Sequence, residues 1–115
     1  MGKHHEYLVS IEVLWPPEGD RELRDRLIAE ERETAARLAE SGIIVRLWRV
    51  PGRWANWGIW RAANVEQLHD AIASLPFFPW LSVTVHPLAL HPSDPGSGAI
   101  EGLEGSLPDR GAIDA

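Results

Sequence analysis

The chain has 115 residues, 44% hydrophobic and 24% charged, with a net charge of −6, which fits one globular domain and argues against holding a phosphate backbone by charge. It has no cysteine, so disulfide frameworks, thiolate zinc sites and cysteine nucleophiles are excluded. The opening MGKHHEYLVSIEVLW lacks the apolar core and cleavage site of a signal peptide, and no run reaches the roughly 18 apolar residues of a membrane span; a cytoplasmic protein with no membrane or nucleic-acid partner is expected.

From Tyr7 to Trp15 apolar and polar residues alternate, with Tyr7, Val9, Ile11, Val13 and Trp15 on one side. This is the pattern of a half-buried strand, ended by Pro16 and Pro17. Asp20 can cap a following helix by accepting from a first-turn amide. The run rich in Arg, Glu, Ala and Leu that follows extends to Ser41, where Gly42 stops it. Ile43 to Trp60 reads as a hairpin, two β-branched and aromatic arms joined by Pro51 and Gly52.

Asn64 with Gln67 three residues later fits a capping box, and Val65, Leu68, Ile72 and Leu75 recur at helical spacing up to Pro76. After the rigid LPFFPW connection, Leu81, Val83 and Val85 alternate with Ser82 and Thr84 as a last strand. The order βαββαβ predicts an α+β, ferredoxin-like domain over residues 1–94, an antiparallel sheet with two helices on one face. The other face needs a cover, commonly a second subunit. Residues 95–115 are dominated by Gly, Pro, Ser and acids and read as a flexible tail.

Each helical residue advances roughly 100°, so Leu23, Leu27, Thr34, Ala35 and Leu38 form one stripe, and Glu31 falls inside it. A carboxylate facing a core must be hydrogen-bonded, paired or protonated. Glu31 is therefore either a proton carrier with a raised pKa, an ion-pair partner of Arg24 or Arg49, or a group bent out to solvent.

The stretch LWRVPGRWANWGIW holds four of the chain's six tryptophans. Arg46, Arg49 and Arg53 flank it, and a guanidinium fork can hold a carboxylate, although surface and interface arginines look the same in sequence. Trp48, Trp54, Trp57 and Trp60 are suited to stacking on a ring or to packing. Asn56, between tryptophans, is an interstrand hydrogen-bonder or a pocket donor. The five histidines make no zinc spacing, and there is no phosphate loop or nucleophile elbow.

Three segments, RLWRVPGRWANWGIW, VEQLHDAIASLPFFPW and HPLALHPSD, together resemble the muconolactone Δ-isomerase family. The likeness runs from Tyr7 to about Asp94 and is carried by LWR, G-x-[WY]-A-N-[WY], LHD, LP-x-FP-[WY] and HPS. It implies a ferredoxin-like fold in a dimeric α+β barrel-type assembly, a homo-oligomer built from dimers into a decamer. It also implies no cofactor and no metal, and a small anionic lactone as substrate.

The implied reaction moves the ring double bond of muconolactone to give 3-oxoadipate enol-lactone, in the catechol branch of the β-ketoadipate pathway. A proton leaves C4 and one is added at C2. Glu31 matches the family's helical carboxylate and takes the role of general base and then acid. Asn56 matches the asparagine of the A-N pair, suited to the developing oxyanion, and Arg49 of LWR is suited to the substrate's acetate arm. Arg53 stands where a histidine is usual, Trp54 and Trp57 match tyrosines, and all three are expected at the substrate.

Ile28 stands where the family has a lysine; losing a cation beside Glu31 would raise its pKa and is compatible with a chloro- or methyl-substituted muconolactone, including dehalogenation. Two other readings share this fold: a non-catalytic small-ligand module and a cofactor-free monooxygenase.

Overall fold

The structure, a computed structural model, describes residues 4–96. The expected tail lies, but for its first two residues, outside this range. Four strands, β1 (His5–Val13), β2 (Ile44–Arg49), β3 (Ala55–Ala62) and β4 (Leu81–Leu88), and two helices, α1 (Arg21–Glu40) and α2 (Val65–Ala73), follow in the order β1-α1-β2-β3-α2-β4. The sheet order is β2-β3-β1-β4, and every neighbouring pair is antiparallel. This is the ferredoxin-like arrangement that the element order predicts.

The caps explain where the helices begin and end. Asp20 Oδ1 accepts from the Glu22 amide at 2.9 Å. At the other end of α1 the Gly42 N–H donates to Ala39 O and the Ile43 N–H to Leu38 O, which closes the last carbonyls in a Schellman pattern. Asn64 Oδ1 accepts from the Gln67 amide at 2.8 Å, while Gln67 Oε1 accepts from Ala63 N–H rather than from the cap residue itself. The capping box is therefore offset by one residue.

Between β2 and β3, Arg53 N–H donates to Val50 O across Pro51 and Gly52, and Gly52 has φ +80°. Proline second and a left-handed glycine third is the chemistry of a type II turn.

Facing residues across the antiparallel ladders share a side of the sheet. Tyr7 lies opposite Trp60, Val9 opposite Gly58 and Ile11 opposite Asn56. On this side Tyr7, Val9, Ile11, Ile44, Trp60 and Ala62 pack with Leu68, Ala71, Ile72 and Leu75 into the core, with Ala35 and Leu38 of α1 against it. Both helices thus cover one face, and Leu27 and Thr34 of α1 are buried as the stripe predicts.

The opposite face carries Leu8, Ile59, Trp48 and Trp57, of which Trp48 and Trp57 are directly opposed and stay 46% and 53% exposed. No other element of the described residues covers it.

β1 begins at His5 rather than Tyr7 and β3 runs past Trp60 to Ala62, and two further strand ends differ from the sequence expectation. β1 stops at Val13, because the Leu14 N–H donates to Trp80 O and the chain turns away with Trp15 packed against Trp80 and Phe77. β4 continues past Val85 through Pro87 to Leu88. It is an edge strand, where a proline's missing N–H is tolerated.

Candidate active site

A cavity of about 390 Å³ opens between the middle of α1 and the ends of β1, β2 and β3. Ile11 and Val13 come from β1, Leu47 and Arg49 from β2, and Ala55 and Asn56 from β3. Ile28, Glu31 and Arg32 reach it from α1, and Trp54 and Phe77 complete the lining. The register accounts for the sheet side: Arg49 pairs with Asn56, and Asn56 with Ile11, so three neighbouring strands present these side chains to the helices together.

Glu31 Oε1 accepts a hydrogen bond from the Phe77 amide at 3.1 Å. Burial raises the pKa of Glu31 above the ordinary glutamate value, and the Phe77 N–H opposes that shift without reversing it. Among the described residues no arginine within ion-pair distance adds to this: Arg24 pairs with Asp25 at 3.2 Å, and Arg49 pairs with no carboxylate. Of the three alternatives left open by the sequence, the structure has a half-buried carboxylate held by a backbone amide.

Phe77 is 2% exposed and sits within an aromatic group. The Trp54 ring stands edge-on to it with centroids 5.3 Å apart, and Trp15 does so at 5.8 Å. The amide that holds Glu31 is therefore anchored by a buried ring.

Asn56 Oδ1 is buried and has no hydrogen-bond partner among the described residues. A primary amide in that state costs free energy, and it carries both donors and an acceptor to offer a ligand.

Of the six residues the sequence assigns to the site, the structure brings four, Glu31, Asn56, Arg49 and Trp54, to this cavity. It does not bring Arg53 or Trp57 there. Trp57 follows Asn56 in a strand, and successive strand residues point to opposite faces, so Trp57 lies on the open face beside Trp48, Val50 and Pro51. Arg53 turns back to Glu12 on that same face, with Nη2 3.0 Å from Oε2.

Two cavity residues escape the sequence reading. Phe77 was visible only as part of a rigid connection. Arg32 sits inside the charged run EERE and one helix turn after Ile28, a spacing that puts both on neighbouring positions of one helix face. Among the described residues no three His, Asp or Glu side chains converge as a metal-ligand set.

Residues 5–94 match the protein family described as muconolactone delta-isomerase. The chain is 39% identical over 85 residues to a muconolactone Delta-isomerase of Pseudomonas aeruginosa, covering 74% of this chain and 88% of that protein. It is 33% identical over 86 residues to the muconolactone Delta-isomerase of Rhodococcus opacus, covering 75% and 92%. A crystal structure of a muconolactone isomerase superposes with a TM-score of 0.73 at 36% identity, over 77% of this chain and 93% of the other.

Proposed function

This chain belongs to the muconolactone Δ-isomerase family, and we propose that it is itself an isomerase converting muconolactone to 3-oxoadipate enol-lactone. The observation that carries the reading is Glu31, a half-buried carboxylate with a raised pKa and no cationic partner among the described residues, set in a cavity with two arginines and with Asn56, whose buried Oδ1 is unsatisfied.

The reaction asks for one group that removes a ring proton and returns it elsewhere on the same ring. Ionised Glu31 takes the C4 proton, and the C4–H electron pair moves into the ring, giving a dienolate that is an oxyfuran. Glu31, now the neutral acid, delivers the proton to C2. A carboxylate whose pKa is lifted toward neutrality is a better base when ionised and is more readily left protonated between the two steps.

Negative charge collects on the lactone oxygens of the dienolate and needs donors in place beforehand. The amide of Asn56 serves there, and Arg49 on the adjacent strand holds the acetate carboxylate by its guanidinium fork. Trp54 closes the end of the cavity as an apolar wall beside the ring. Ile28, Leu47 and Val13 give the cavity an apolar side, which favours a methyl- or chloro-substituted muconolactone as the second reading.

The same proposal includes a homo-oligomer built from dimers, with a decamer as the full assembly, and a cytoplasmic setting. The uncovered apolar sheet face supports the first; for the second, no helix among the described residues is long and apolar enough to cross a membrane.

The direct test is the ultraviolet change on adding muconolactone to the purified protein, run beside Glu31→Gln. Wild-type turnover that falls about 10²–10⁴-fold in the variant is expected. An unchanged variant rate removes Glu31 from the chemistry, and turnover only of a ring-substituted lactone selects the second reading.

A further inference from the structure

Five of the chain's ten arginines are engaged by other side chains. Arg24 pairs with Asp25, Arg53 with Glu12 and Arg61 with Glu6, Arg37 donates to Thr34 Oγ1, and Arg46 lies over the Trp48 ring. Arg21, Arg26, Arg32 and Arg49 have no ion-pair partner among the described residues, and of these Arg32 and Arg49 alone line the cavity of Glu31, from opposite walls. In a chain of net charge −6, two uncommitted guanidinium groups beside a single carboxylate reverse the local sign.

Counting charge through the reaction shows what two cations are for. Before proton transfer, Glu31 and the substrate's acetate arm each carry one negative charge. Afterwards Glu31 is neutral and the bound ligand is a dianion, one charge on its carboxylate and one on the dienolate oxygens. The total is unchanged, but both charges now sit on the ligand. One arginine matches the carboxylate in both states, and the second finds its partner only as the dienolate forms. An interaction realised only there lowers the barrier without tightening ground-state binding.

We propose that Arg32 is a further catalytic residue, the cation that neutralises the dienolate oxygen, while Arg49 holds the carboxylate. The proposal rests on the isomerase reading of this cavity. Its placement follows from the helix: Arg32 is the residue after Glu31, so the base and the cation enter the cavity from one rigid turn of α1. Asn56 reaches the cavity from the sheet as a neutral donor, and Arg32 supplies the charge. The site is thereby suited to ligands that carry, or acquire, two negative charges about one small ring or short chain.

The experiment compares Arg32→Gln, Arg32→Lys and Arg49→Gln by steady-state kinetics and by ligand binding. Arg32→Gln is expected to lower kcat at least about tenfold with little change in KM, as for loss of a transition-state donor, and Arg32→Lys to recover part of it. Arg49→Gln is expected to raise KM instead. A kcat unchanged in Arg32→Gln, or a loss confined to KM, overturns the assignment.

A second arm needs no turnover. Tryptophan fluorescence is used to titrate adipate, a six-carbon dianion, and the saturated lactone of muconolactone, a monoanion that cannot form the dienolate. Arg32→Gln is expected to weaken adipate about tenfold or more and to leave the saturated lactone within about threefold. Equal losses for both, or no loss for adipate, overturn it. If the wild type is inert toward muconolactone yet shows this selective loss, the isomerase reading fails while the two-anion role of Arg32 stands. Because Arg32 is exposed on its helix, circular dichroism of the variants is expected to match the wild type.

Discussion

The amide N–H of Phe77 donates to Glu31 Oε1 at 3.1 Å, joining residues 46 apart in sequence. Burial makes the charged form of Glu31 unfavourable, and this one bond offsets part of that cost. The carboxylate therefore titrates above the ordinary glutamate range, and as a base it must be ionised in the free protein. The acid limb of kcat/KM is expected to have its midpoint above the ordinary glutamate value, measured with muconolactone across a series of buffers of constant ionic strength. A midpoint at or below the ordinary value removes Glu31 as the titrating base.

The same shift gives a stability prediction of fixed sign. In the window between the ordinary and the raised pKa, the folded chain holds the Glu31 proton and the unfolded chain has lost it. Stability from this group is full below the ordinary value and is lost as pH rises through the raised one. Glu31→Gln, neutral throughout, should gain on the wild type as pH rises across that window. Thermal melts of both proteins at matched pH check this, and a difference that stays constant with pH contradicts it.

Phe77 is argued to be the mechanical support of the base. Its ring is buried among Trp15, Trp54 and Trp80, so Phe77→Ala should cost about 3–5 kcal/mol of stability. The amide remains in the variant but loses its anchor. Turnover, assayed well below the lowered melting temperature, should fall as well, with the pH midpoint of kcat/KM moving. A variant that is less stable but keeps the wild-type pH profile and kcat shows that the ring has no part in holding Glu31.

These relationships divide by how far apart in sequence their causes lie. Helical spacing alone set Glu31 in the core-facing stripe, and the structure places it at a cavity. Strand alternation was enough to face Tyr7, Val9 and Ile11 inward. The same rule of two applied to β3 separates Trp57 from Asn56, so that misplacement was avoidable from sequence. Arg53 was not: its position depends on Glu12, a carboxylate on another strand that nothing local to the hairpin reveals. The Phe77 amide is equally invisible, because a backbone donor leaves no mark in a residue string. Arg32 was hidden by its neighbours, since a charged run on a helix ordinarily reads as a solvated face.

Gly58 tests the packing of the hairpin. A Cβ at this position would lie 2.6 Å from Leu47 Cδ2 and 2.8 Å from Arg46 O. The leucine tip can shift, but the carbonyl belongs to β2 and can move only by parting the strands. Gly58→Ala is expected to cost about 1–3 kcal/mol and, because Leu47 lines the cavity, to raise KM. Chemical denaturation and steady-state kinetics measure the two effects. A variant as stable as the wild type shows that β2 and β3 can separate freely there.

The open sheet face leads to the last prediction. Trp48 and Trp57 face one another across β2 and β3, with Leu8 and Ile59 beside them on the same side and Leu88, 43% exposed, toward one end. The Glu6–Arg61 and Glu12–Arg53 pairs, at 2.8 and 3.0 Å, lie at opposite ends of this face. An apolar centre with charged margins is the anatomy of a protein interface, and bare apolar patches of this kind are uncommon on monomers. Replacing both tryptophans with serine should therefore reduce the mass found by sedimentation and make the melting temperature of the wild type, but not of the variant, depend on protein concentration. Neither tryptophan lines the Glu31 cavity, so a smaller assembly that keeps its turnover per chain means that one chain supplies the whole site. A smaller assembly without turnover means that a neighbouring copy completes the cavity, and an unchanged mass removes this face as the contact.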